Sequence, residues 1–111
     1  MNSRLPMHQK LEIMVSACAD KHFIHWQQAE SLIQVEFSSL LLMIQWLNDM
    51  KRQSEMTTEQ ARIHIDIQKN TMRNRLMALP NIPLVEIEQM MNTGIDSIRK
   101  ELYQEMDWLI I

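Results

Sequence analysis

Cys18, His22 and His25 are separated by four and three residues. On a helix those offsets bring the three side chains within about 40° of one another. A cysteine thiolate and neutral imidazoles are donors that zinc accepts, and a fourth ligand would have to come from His64 or His8. The spacing matches no paired-ligand zinc motif. The same positions also continue an apolar stripe, so packing is the competing explanation, and no metal or other cofactor is expected.

A second group is electrostatic. Arg62, Lys69 and Arg73 fall on one side of a helix with Asp66 among them, and Lys51, Arg52 and Arg75 lie nearby. Phosphate contacts need such groups, which makes a nucleic-acid-associated regulator the alternative reading. The overall charge of −3 argues the other way, because a nucleic-acid domain is usually strongly basic. The distribution is uneven: residues 1–50 carry −2, residues 51–80 carry +3 and residues 81–111 carry −4. A basic middle between acidic flanks also suits complementary helices within one bundle.

Catalytic chemistry has little to stand on. The only glycine is Gly94, so no phosphate-cradling loop, dinucleotide fingerprint or nucleophile elbow can be written. Glu101 and Glu105 share a helix face, yet no histidine accompanies them as in di-iron bundles. Ser38 and Ser39 precede an apolar run where small residues serve close packing. His64 and Asp66 have a spacing that surface residues reach by chance. An enzyme is not expected.

The remaining candidates are apolar. Eleven methionines and three tryptophans stand in 111 residues. Methionine is flexible and polarizable and suits adaptable surfaces as well as irregular cores. Tryptophan is enriched at the energetic centres of interfaces. Trp26, Phe37, Leu41, Met43, Trp46, Met90, Trp108 and Ile110 are therefore the expected partner or dimer contacts, with the chain's own core as the other destination for each.

All these residues must be positioned by helices. Glycine and proline together number four, too few for a fold built on many tight turns. Between Met7 and Leu79 there is neither. A first stripe runs Leu11, Met14, Val15, Cys18, His22, with Ser3 as its expected cap and Pro6 in the first turn. Its phase continues through Trp26, Ala29, Leu32, Ile33, Phe37, Leu40, Ile44 and Leu47, which permits one bent helix or two over residues 8–52. Residues 40–47 are apolar nearly all round and predict burial on more than one side. Thr57 to Gln60 spells a capping box. Ile63-His64-Ile65-Asp66-Ile67 alternates like a strand, but the box and the stripe Ile65, Met72, Leu76, Leu79 favour helix. Pro80 to Pro83 breaks the chain. A last helix is expected from about Leu84 to Leu109, with Gly94 inside it as a point of close contact or a kink.

The expectation is an all-α single domain, residues 1–111, with three to four antiparallel helices in a bundle completed by dimerisation. One cysteine allows no internal disulfide, residues 1–10 lack the apolar core of a secretory signal, and no stretch is long enough for a membrane span. A cytoplasmic protein-interaction module is the expected function. It would bind a protein partner, a second copy of itself or both through an apolar Met- and Trp-bearing surface.

Overall fold

A computed structural model describes residues 5–108, 110 and 111. Four helices follow one another: α1 (Met7–Ala19), α2 (Trp26–Arg52), α3 (Thr58–Met77) and α4 (Leu84–Met106). No strand occurs among the described residues. No helix among them is long and apolar enough to cross a membrane.

The breaks have local causes. Pro6 stands at the N-cap of α1, and the expected Ser3 cap lies outside the described residues. Residues 8–52 form two helices. Asp20 ends α1, and His22 takes a left-handed φ of 54° in the turn that follows. No glycine or proline marks this turn, so the continuous apolar phase hid it. The α3 capping box is present on both sides: Gln60 N donates to Thr57 Oγ1 (3.1 Å) and Thr57 N donates to Gln60 Oε1 (3.0 Å). Residues 63–67 are helical. Pro83 caps α4, which ends at Asp107 with φ 50°, short of the expected Leu109; Leu109 itself is outside the described residues.

Neighbours in sequence pack as neighbours in space, and α4 closes the ring against α1. Cross-links fix the antiparallel sense. Lys10 pairs with Glu105 and the Cys18 thiol donates to Met90 O, joining α1 to α4. Glu36 pairs with Arg75, and Trp46 meets His64, joining α2 to α3. The core runs along the axis through Met14, Ile33, Leu40, Leu47, Met72, Leu76, Ile87 and Ile98. Gly94 serves close contact: a Cβ there would lie 2.3 Å from Phe37 Cζ.

Candidate interaction surface

The α2 helix divides its apolar residues between two sides. Towards the core it buries Ile33, Phe37, Leu40, Leu41, Ile44 and Leu47. On the other side Val35, Leu42 and Trp46, spaced by seven and four, form a stripe left in solvent. Burial on more than one side was expected for residues 40–47, and within one chain Leu42 and Trp46 are left open. Leu42 is 55% exposed and Trp46 44%, with Met43 half-buried beside them. They open outward because α1 and α3 pack on other sides of α2.

The neighbouring α3 extends the stripe. The Trp46 ring meets the His64 ring edge to face, centroids 5.4 Å apart. Ile67 follows His64 by three residues, on the same side. Ile63 and Ile67 are 59% and 57% exposed, and Val35, 56% exposed, lies further along α2 near the Glu36–Arg75 pair. Neutral polar side chains lie among the five, Ser38, Ser39 and Gln45 on α2 and Thr71 and Asn74 on α3, with Asp66 and Arg75 the charged ones on α3.

On its α2 side this face carries little charge, whereas on α3 Arg75 (59% exposed) and the exposed Asp66 flank it. From Ser31 to Asn48 the only ionisable residue is Glu36, which is fully buried. Its Oε2 accepts from Arg75 Nη1 at 3.0 Å, while its Oε1 is buried without a hydrogen-bond partner. On α3 Arg73 turns towards α4. Arg73 is bonded to Glu88, and Glu88 is held below the ordinary carboxylate range first by that hydrogen bond, with Lys69 adding attraction. A soluble surface ordinarily mixes charges of both signs. The core of an interface is depleted of charge and holds aromatic residues and methionine.

The other expected contacts go elsewhere. Phe37, Leu41, Met90, Trp108 and Ile110 are buried within this chain, which corrects their expected place on a docking surface. Phe37 fills the gap over Gly94. Trp108 turns back after Asp107, its indole N–H donates to Thr58 Oγ1 at 2.8 Å, and Lys51 lies over its ring. Trp26 is half-buried against the core. Of the eight, Trp46 and Met43 reach the open face. Val35, Leu42, Ile63 and Ile67 were not singled out from the sequence, although the charge-free run from Ser31 to Asn48 was there to be read.

Cys18, His22 and His25 do not converge. Cys18 is buried with its thiol on Met90 O at 3.2 Å, and burial pushes that thiol up to about 12 against a smaller lowering by a backbone hydrogen bond. His22 is exposed in the turn. His25 binds Glu86 twice: its backbone N donates to Oε2, and its Nδ1 lies against Oε1, each at 2.7 Å. Burial alone would raise the Glu86 carboxyl, but the bonds to His25 outweigh it and hold the group below its ordinary value. Among the described residues no three His, Cys, Asp or Glu side chains are grouped to hold a metal ion. Arg62 is exposed on α3, Lys69 is half-buried, and Arg73 is engaged by Glu88.

No protein-family model, curated protein or solved structure matches this chain.

Proposed function

We propose that the chain is a helical protein-interaction module that docks through its α2/α3 face, and that the occupant of that face is a second copy. The observation that carries this is the exposed set of Val35, Leu42, Trp46, Ile63 and Ile67, with no exposed ionisable residue on α2 from Ser31 to Asn48.

Area and charge both favour a copy. The 20-residue α3 beside α2 makes a face roughly 30 Å long and 20 Å wide, on the order of 600 Å² in projection. Stable interfaces bury ~800 Å² of accessible surface per partner, and monomers seldom leave apolar patches of more than a few hundred Å² open. A two-fold axis sets a face against itself, so any net charge near the axis would repel its own copy. The α2 stretch from Ser31 to Asn48, whose one ionisable residue is buried, meets little such penalty if it lies at the axis. The ridges of Leu42, Trp46 and Ile67 would then pack into the grooves of the facing pair of helices. This reading assigns no catalytic step. It sets the chain in a reducing cytoplasm, where a lone buried thiol such as Cys18 stays unpaired.

Sedimentation velocity over ~1–100 μM tests it, since typical specific dimers form within that range. The wild-type chain should sediment at twice its own mass. Leu42→Glu and Trp46→Glu should sediment as monomers with unchanged far-ultraviolet circular dichroism, and Gln104→Glu on α4 should leave the dimer intact. A wild-type monomer at the top of the range, or a dimer that survives Leu42→Glu, would sink the proposal.

A further inference from the structure

Trp108 and Ile110 lie outside every helix, yet they are only 8% and 4% exposed. They stand two apart, the spacing of one side of an extended chain. Asp107, with its left-handed φ, ends α4 and turns the chain away from the helix axis. Arg99 is about 12 Å back along α4 from Asp107, and its Nε donates to Ile111 O at 3.0 Å. Trp108, Ile110 and Ile111 therefore run back along α4, against its direction.

Three helices fasten them. On α3, Thr58 Oγ1 accepts from the Trp108 indole N–H at 2.8 Å. In the last turn of α2, Lys51 Nζ donates to Met106 O at 2.9 Å and to Asp107 O at 3.4 Å, and it stands 5.2 Å over the Trp108 ring. On α4, Arg99 holds the far end. The two cations thus take backbone carbonyls, which any peptide presents, and the side chains that distinguish the segment are Trp108 and Ile110. Of the four neighbouring helix pairs α3 and α4 touch least, so their seam has room for it.

The cross-links of the bundle do not pass through this segment. Lys10 with Glu105, Cys18 with Met90 O, Glu36 with Arg75 and Arg73 with Glu88 all join helix to helix. A non-helical segment laid on such a frame opens at lower free energy than the helices beneath it. It sits on the bundle as a ligand sits on a receptor.

We propose that the α3/α4 seam is a peptide-binding groove, filled in cis by Trp108 and Ile110 until a segment of another protein displaces them. The displacing segment is non-helical and carries an aromatic residue two positions before a branched aliphatic one, and its carbonyls meet Lys51 and Arg99. A second copy offers only the same segment, and at micromolar concentration it cannot compete with one tethered at an effective concentration of ~1 mM. A different protein can add contacts on either side of the motif and so out-compete the tether. Thr58 and Ile67 are about 180° apart around α3, so this groove and the α2/α3 face lie on opposite sides of that helix. Either proposal can fail without the other.

The test uses the full chain and an end-blocked peptide of residues 106–111 whose tryptophan carries a fluorine, followed by 19F NMR. A full chain with both Trp108→Ser and Ile110→Ser should bind this peptide saturably, with a Kd of ~100 μM or below, which two buried apolar side chains can supply after the cost of association. The wild-type chain should bind it about tenfold more weakly, because its own segment competes. A peptide with alanine in place of the tryptophan should bind at least about tenfold more weakly to the substituted chain, as loss of an aromatic anchor implies. Loss of the helical circular dichroism in the substituted chain would show that the segment belongs to the core, and would overturn the proposal. So would the absence of a saturable shift up to ~1 mM, equal binding of the alanine peptide, or equal binding by the wild-type chain. A Leu42→Glu chain that forms a dimer dependent on Trp108 would assign the groove to a second copy, and would overturn it as well.

Discussion

The two flanks of α2 are built to different rules. On the flank towards α1 and α4, Phe37 is fully buried and sits so close to Gly94 that no side chain fits between them. On the flank beside α3, Leu42 and Trp46 end in solvent among serines and glutamines. The first flank spends its apolar residues inside one chain and tolerates no extra atom. The second is comparably apolar at its centre, yet no described residue covers it, and its α2 side carries no exposed charge from Ser31 to Asn48. The difference teaches that apolar content alone does not mark an interface. An apolar stripe that the chain leaves open and also leaves uncharged does.

The sharpest way to break this comparison is to truncate one residue from each flank. Phe37→Ala should cost about 4 kcal/mol, since it removes a fully buried ring and leaves a cavity. Leu42→Ala, measured in a Trp46→Glu background that keeps the chain monomeric, should cost less than about 0.5 kcal/mol, as exposed sites usually do. Urea unfolding of the two variants decides. Similar costs for both would mean that Leu42 is packed in solution and that the flanks do not differ.

Gly94 gives a second, smaller contrast. Alanine is the better helix former by about 1 kcal/mol. Here its methyl must displace the Phe37 ring from a packed core, and overpacking of that kind typically costs 1–3 kcal/mol. Gly94→Ala should therefore lower stability by about 1–2 kcal/mol net. A Gly94→Ala chain more stable than wild type would show that the α2/α4 contact yields easily.

Acid should act on the enclosed side. Glu86 ties the α1–α2 turn to the first turn of α4 through His25, and a carboxylate there also favours the helix N-terminus. Its folded-state value is lowered from 4.5, so its contribution is fully present above that unfolded value and is lost as pH falls through the lower folded one. Glu86→Gln should thus cost about 1 kcal/mol at pH 7 and progressively less as pH falls below the ordinary carboxylate value. Urea midpoints of both chains at neutral and acid pH measure it. A deficit that does not shrink on acidification would show that the Glu86 charge contributes nothing.

Much of the fold was legible and much of the site was not, for different physical reasons. Thr57 with Gln60, and Pro80 with Pro83, are local signals whose chemistry acts within a few residues, and they placed the start of α3 and the break before α4. Ile65 in register with Met72 and Leu76 outweighed the strand-like alternation around it. The turn at His22 had no such marker, because a histidine adopts the left-handed conformation that a glycine would have announced. Which large apolar residues stay outside depends on helix neighbours, and periodicity is silent about that: Phe37 and Leu42 belong to one continuous run in sequence and to opposite flanks in space. Glu36 was equally hidden. Its position beside Ile33, Phe37 and Leu40 puts it within the buried arc, where a carboxylate is not expected.

Glu36 also supplies the finest test of the comparison, because it lies beneath the open flank and not within the closed one. Its carboxylate is wholly buried, but the Arg75 side chain that pairs with it is 59% exposed, and Oε1 has no partner. The cost of desolvating the acid is therefore offset by one bond to a cation that solvent also screens. Removing such a pair in favour of a well-packed apolar group is often neutral or stabilising. Water can solvate Arg75 once the acid is gone, and methionine fills nearly the same volume. Glu36→Met should raise stability by up to about 1 kcal/mol, read as a higher urea midpoint at one fixed protein concentration, with the sedimenting mass unchanged. A loss of stability would mean that the acid is better satisfied in solution than its single bond indicates. A gain of stability accompanied by loss of the dimer would show that Glu36 holds Arg75 in the place where the second copy meets it.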